Sequence, residues 1–316
     1  MRINEASGQY VRWLAVAKDL SAHTIRAYAG DLTSFERYLG TGAECNSIDR
    51  DAILSFVETQ RAAGIAPASL RRRASALRGF CRWMLLCGAL EVDPWSNTRL
   101  HLGRSRSLPR TVPTHRLNRL IRHLKAAAGM DVRSAPEAAL VRSKPYESTT
   151  LLAVSLMVAT GIRVNEATGI RSVDVDLPSR TIRLLGKGRR ERQVFLPDDW
   201  IAGLTEAYLE ARSAFEVGHP RLLFNRHHEP LTPPAMRSRL AKASRAAGVE
   251  PRVTPHMLRH TAATQLIEAG VDIRYIQRLL GHASLATTEI YTHVSDSALQ
   301  RVVSNANVLG RVVQAR

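Results

Sequence analysis

A mainly helical chain (mainly α, α+β) with one small antiparallel sheet in its second half is predicted by three observations. Apolar residues recur at three- and four-residue steps through most of the sequence. One long apolar run, residues 151–162, reads as a buried core helix. A single segment, 181–196, switches to short strand-like runs around a glycine-flanked turn.

Residues 23–40 place Ile25, Tyr28, Leu32, Phe35 and Leu39 on one helical face and stop at Gly40. Residues 51–63 repeat the pattern with Ile53, Leu54, Phe56 and Val57, and stop at Gly64. Residues 69–86 carry Leu70, Ala74, Leu77, Phe80, Trp83 and Met84; Arg71, Arg72, Arg73 and Arg78 cluster on the same helix, facing either solvent or a phosphate backbone. Residues 93–113 hold Pro, Gly, Ser and Arg without hydrophobic periodicity and read as a linker lying on a ligand. A second helical region begins at 114–127, residues 129–146 look irregular, and 147–160 form the buried helix. The strands are 181–185 and 192–196, with Lys187 at the tip between them. Helices resume at 198–215, 233–247, 255 onward, 272–280 and 286–293, with Ser284 as N-cap of the last. The expected domains are 1–98, a basic linker 99–113, and 114–316.

The 316 residues are enough for two ordinary domains. Three cysteines without ligand spacing read as reduced thiols. The apolar run of 151–162 is too short and too polar to span a bilayer, and no signal peptide is visible, so a cytoplasmic protein is expected. Net charge is +17, and residues 99–316 carry +15 of it. From Pro94 to Met130 there are eight basic residues and no carboxylate. A polyanion is the partner this implies; base composition of the genome, an anionic membrane or an inert solvated face are the alternatives.

Four clusters carry chemistry. His256 and Arg259 share a helix face at i, i+3. His256 and His260 have the spacing of two zinc ligands, but Met257 stands where that motif needs glutamate, so no metal is expected. His260 also reads as a core histidine. Arg163 follows Gly161 at the end of the buried helix, where a guanidinium must be paired or serve a ligand, and Glu166 is its nearest acid. Lys187 is one of five lysines against 40 arginines, and only a lysine there can give up its proton. His282 follows the helix-ending Gly281, and Tyr291 lies on the next helix, where packing is the ordinary role of a tyrosine. Together these groups form an anion site. Two guanidiniums can hold the non-bridging oxygens of one phosphate and replace magnesium in stabilising the transition state. A tyrosine surrounded by positive charge becomes a usable nucleophile, and a lysine can protonate the departing oxygen.

The succession TGIRVNE, GKGRRER, HMLRH, LLGH and Tyr291 resembles the tyrosine recombinase (phage integrase) family in its compact two-domain form, without an arm-binding domain. The resemblance is specific over 151–294 and looser before it. It implies a catalytic set of Arg163, Lys187, His256, Arg259, His282 and the nucleophile Tyr291, with Glu166 in support, and no cofactor. It further implies attack on a DNA phosphodiester, a 3′-phosphotyrosyl link and strand exchange through a Holliday junction. The uses would be DNA integration, transposition or multimer resolution. Partners would be double-stranded DNA with paired sites, a homo-tetramer on that DNA, and a second recombinase or accessory proteins, all nucleoid-associated and away from membranes. The helical N-terminal domain would bind the core site. Residues 297–316 would enter a neighbouring protomer, and Arg71, Arg72, Arg73, Arg78, Arg104, Arg106, Arg110 and Arg189 would contact DNA. Departures are the stretch 129–146 and Phe195, where a proline is common. The alternatives are a type IB topoisomerase-like enzyme and a non-catalytic DNA-binding regulator.

Overall fold

The computed structural model describes residues 1–316 except 19, 21, 99, 101, 103–110, 131–137, 186–190, 216, 282–299, 301, 302, 308, 309 and 311–316, with 22 and 23 described by backbone only. The chain forms two compact units, Met1–Ser107 and Leu108–Arg316.

The first unit contains α1 (Ile3–Ala17), α2 (Ala22–Leu39), α3 (Arg50–Ala62) and α4 (Pro67–Leu86). The last three fall within two residues of the predicted ranges. Helix α4 starts early because Pro67 opens it, where a fixed φ helps and the missing N–H costs nothing. Asp49 caps α3 by accepting the Ala52 N–H at 2.7 Å. Tyr10, Leu32, Phe35, Phe56, Leu77, Phe80 and Met84 fill the core, and Leu100 and Leu102 pack against it.

The second unit contains α5 (Thr114–Ala127), α6 (Ala138–Ser143), α7 (Pro145–Thr160), α8 (Val164–Ala167), β1 (Val175–Asp176), β2 (Thr181–Leu185), β3 (Glu191–Phe195), α9 (Asp199–Ala214), α10 (Pro233–Ala246), α11 (Pro255–Glu268) and α12 (Ile273–Leu280). Helix α7 is the hub, buried continuously from Ser148 to Thr160 and packed against α5, α9, α10 and α11. A helix buried on every side has no amphipathic stripe, which is why its sequence is apolar all round. Its threonine hydroxyls stay satisfied: Thr149, Thr150 and Thr160 each donate to the carbonyl four residues back. Among the described residues, no helix is long and apolar enough to cross a membrane.

Besides α1 and α8, which no predicted range covers, three details differ from the sequence reading. The stretch 129–146 is not wholly irregular, because 138–143 form α6, which buries Val141 and packs on α9. Six residues are too few for periodicity to announce a helix. The sheet has a third strand, β1, pairing antiparallel with β2 through Val175↔Ile182 and Asp176↔Thr181. Strand β3 runs one residue earlier than expected, with Leu184 opposite Arg192 and Leu185 opposite Glu191. Phe195, the departure from proline, is buried and paired with Thr181.

Of the predicted linker, Val112 is buried in the second unit, its N–H donating to Thr261 Oγ1 at 2.7 Å. Within the expected exchange segment, Val303 and Ala306 are buried in the core of their own unit. The helix expected at 286–293 and its cap Ser284 lie outside the described residues.

Candidate active site

The site grows from two helix ends. Helices α7 and α12 both close on a left-handed glycine, Gly161 at φ 67° and Gly281 at φ 61°. A helix C-terminus leaves carbonyls without intrahelical partners and carries the negative end of the dipole, so both ends favour cations. Glycine is needed at Gly161 twice over: a Cβ there would strain the backbone and meet Leu280 Cδ2 at 2.5 Å.

Two arginines meet these carbonyls. Arg259, on α11, donates through one guanidinium nitrogen to Gly161 O at 2.8 Å and through another to Leu280 O at 2.6 Å. Arg163, the N-cap of α8, reaches Leu280 O and Gly281 O, each at 3.4 Å. Both guanidiniums therefore converge on one atom, Leu280 O. Arg259 is nearly buried at 9% exposure, whereas the Arg163 side chain stays 43% exposed. Burial, and then the charge of Arg163 beside it, bring Arg259 down to a pKa of about 10, still protonated at neutral pH.

Glu166 anchors Arg163. Its carboxylate accepts the Arg163 backbone N–H at 2.7 Å and the Arg163 guanidinium at 3.0 Å. On its other side it accepts two parallel bonds from Arg192, both at 2.9 Å. Burial alone would raise this carboxyl, but the bonds from Arg192 and Arg163 and the charge of Arg192 outweigh it and hold it down to about 2. Three guanidiniums and one carboxylate leave the site with net positive charge, open on the Arg163 side. Such a site favours an anion.

His256 lies on the first turn of α11, exposed, one turn before Arg259; Thr254 caps the helix at the Met257 N–H, 3.3 Å. The structure thus brings Arg163, Glu166 and Arg259 into one contact network, with His256 on the same helix as Arg259. Lys187, His282 and Tyr291 lie outside the described residues. The neighbouring chain is described: β2 and β3 bracket 186–190, and Gly281 directly precedes His282. Among the described residues, no group of three or more His, Cys, Asp or Glu is placed to hold a metal ion.

Sequence reasoning missed Arg192. Its only signal was a place in GKGRRER, two residues after two other arginines, and nothing in that run distinguishes it. The arginines expected on DNA divide. Arg72 and Arg73 both pair with the buried Asp31 of α2, Arg73 at 3.6 Å. Burial raises the Asp31 carboxyl, against the pull of Arg72 and Arg73. Arg71 donates to Leu102 O at 3.0 Å, and Arg78 covers the Trp95 ring at 4.7 Å. Each of these four therefore has a partner within its own unit. Arg104, Arg106, Arg110 and Arg189 lie outside the described residues.

Residues 121–298 match the phage integrase family, and residues 8–86 match the N-terminal SAM-like domain of phage integrases. The chain is 34% identical over 301 residues to the tyrosine recombinase XerC of Mycobacterium sp. (strain JLS), covering 94% of this chain and 96% of that protein. It is 35% identical over 303 residues to the tyrosine recombinase XerC of Mycobacterium tuberculosis (strain ATCC 25177 / H37Ra), covering 95% and 97%. In fold it is similar to a lambda integrase fragment solved as a dimer on a COC′ core site, with TM-score 0.68, 18% identity, and coverage of 94% and 100%. It is equally similar to the XerH site-specific recombinase on a palindromic difH substrate after cleavage, with TM-score 0.68, 24% identity, and coverage of 94% and 84%. The family match takes in the whole network of Arg163, Glu166, Arg192, His256 and Arg259, and the chain belongs to the phage integrase family of tyrosine recombinases, enzymes that break and rejoin DNA.

Proposed function

We propose that this chain is a site-specific DNA recombinase whose nucleophile is Tyr291 and whose phosphate clamp is Arg163 and Arg259. One observation carries the reading: two guanidiniums fixed on the single carbonyl of Leu280, backed by Glu166, with one of them facing solvent.

The scissile phosphate binds with its non-bridging oxygens on the two arginines. The Tyr291 oxygen attacks phosphorus in line with the 5′ oxygen, whose bond breaks as the new P–O bond forms. The arginines stabilise the charge that builds on the non-bridging oxygens. Lys187 gives its proton to the departing 5′ oxygen, leaving a 5′-hydroxyl. His256 accepts the tyrosine proton as general base, and His282 donates a hydrogen bond to a non-bridging oxygen. A 5′-hydroxyl from a partner strand then attacks the phosphotyrosine and restores a phosphodiester, so bond energy is conserved and neither ATP nor a metal enters. Two such rounds pass through a Holliday junction.

The first unit serves as the core-site binding domain. Residues 99–113 act as a basic strap, and the segment 297–316 exchanges between protomers of a tetramer on paired sites. A second recombinase or accessory protein completes the assembly, in the cytoplasm on the nucleoid. The test is a nicked duplex selected from a randomised pool for affinity to the protein. Cleavage next to the nick lets the short strand diffuse away and traps the enzyme on DNA. A covalent adduct formed in excess chelator, and absent in Tyr291→Phe, supports the reading. Tight binding without an adduct points to a DNA-binding regulator, and relaxation of a plasmid lacking paired sites points to a topoisomerase.

A further inference from the structure

Arg192 makes more site contacts than its place in a strand requires. Two of its guanidinium nitrogens grip both oxygens of Glu166 at 2.9 Å, and its Nε donates to Leu279 O at 3.0 Å. Its side chain is 14% exposed and that of Glu166 only 8%. The carboxylate that holds Arg163 is thus fixed from the buried side by Arg192. With Arg163 itself 43% exposed, the Arg163–Glu166 pair alone would hold its geometry weakly. The Leu279 carbonyl adjoins those of Leu280 and Gly281, to which Arg163 and Arg259 bond. Packing is close as well: a Cβ on Gly281 would meet the Arg192 guanidinium at 3.2 Å. One side chain therefore ties β3, which begins directly after residues 186–190, to α8 and to the end of α12, which closes at Gly281.

Building on the recombinase reading, we infer that Arg192 is a positioning residue. It aims the phosphate clamp by holding Arg163 through Glu166 and both arginines through the α12 carbonyls. The role demands arginine, because lysine offers no planar fork to match a carboxylate while also reaching a carbonyl. Misplacing a reacting group by about an ångström costs about 100-fold in rate.

The experiment is single-turnover formation of the covalent adduct by wild type, Arg192→Ala and Arg192→Lys. Two selected duplexes are used, one with a normal scissile diester and one with a methylphosphonate there. The methylphosphonate lacks one charged non-bridging oxygen, so its cleavage depends less on a well-aimed pair of guanidiniums. Arg192→Ala is expected to lose about 100-fold on the diester and about 3-fold on the methylphosphonate. DNA affinity should stay near wild type, and Arg192→Lys should recover about a tenth of the lost rate. Equal losses on both substrates, or no loss on the diester, overturn the inference. If Arg192→Ala does not fold, the same ratio is read from Arg192→Lys. Wild type failing on both substrates strikes the recombinase reading itself, whereas active wild type with an equally active Arg192→Ala strikes only the positioning role.

Discussion

Replacing Glu166 by glutamine keeps the side chain's shape and removes its charge, in a place where four N–H groups point at it. The carboxyl titrates at about 2 in the folded chain against 4.5 ordinarily. At full strength that difference is about 3 kcal/mol of stability at neutral pH. The Arg163 partner is partly exposed, so screening reduces it to about 2 kcal/mol. The glutamine amide would also face guanidinium donors with donors of its own, adding about 1 kcal/mol. The sign follows from the lowered pKa: the stabilisation is present above about pH 4.5 and is lost as pH falls toward 2. Urea unfolding of wild type and Glu166→Gln should therefore differ by about 2–3 kcal/mol at pH 7. The gap should narrow by about 1 kcal/mol on going to pH 3.5. A gap under about 0.5 kcal/mol at pH 7, or one that ignores pH, would mean that Glu166 is not an ionised anchor.

Further outcomes follow from the same geometry. Arg259→Lys keeps a charge but loses the fork that serves Gly161 O and Leu280 O, so unfolding should cost about 1–3 kcal/mol less. The rate of adduct formation should fall at least about 100-fold, and near-wild-type cleavage would contradict the clamp. Gly161→Ala forces a left-handed backbone on alanine and drives its Cβ into Leu280. Its melting temperature should drop by about 5–10 °C, and an unchanged value would contradict the close approach. Burial pushes the Cys81 thiol up to about 12, Cys45 is also buried, and Cys87 is exposed. An aromatic disulfide reagent should titrate one of the three thiols in the native protein and all three after denaturation.

Much of this architecture was readable from periodicity. Helix α5 runs over the same fourteen residues that the apolar pattern marks, and α7 was visible as a run apolar on every side. Gly161 announced the end of α7, and the three-residue spacing of Arg163 and Glu166 put the acid within reach of the guanidinium. Short elements held in place by neighbours were not readable: α6 has six residues and β1 two, too few for either period to register. Long-range partners were hidden as well. Arg192 finds Glu166 across 26 positions and Leu279 across 87, and in a chain with 40 arginines nothing local distinguishes one that folds inward. Arg72 and Arg73 teach the same lesson, since the Asp31 that engages them is 41 positions from Arg72. Sequence shows that a helix carries charge; only the fold shows where its counter-charge lies.

In the proposed reaction the oxygen of Tyr291 becomes covalently bound to DNA, and identifying the linked residue tests this directly. Wild-type protein trapped on a nicked duplex is digested with trypsin and nuclease, and the nucleotide-bearing peptide is sequenced by mass spectrometry. One modified peptide is expected, 279–301 or a fragment of it, with the nucleotide remnant on Tyr291. A remnant on any other residue, or DNA cleaved with no peptide attached, would contradict the proposed reaction.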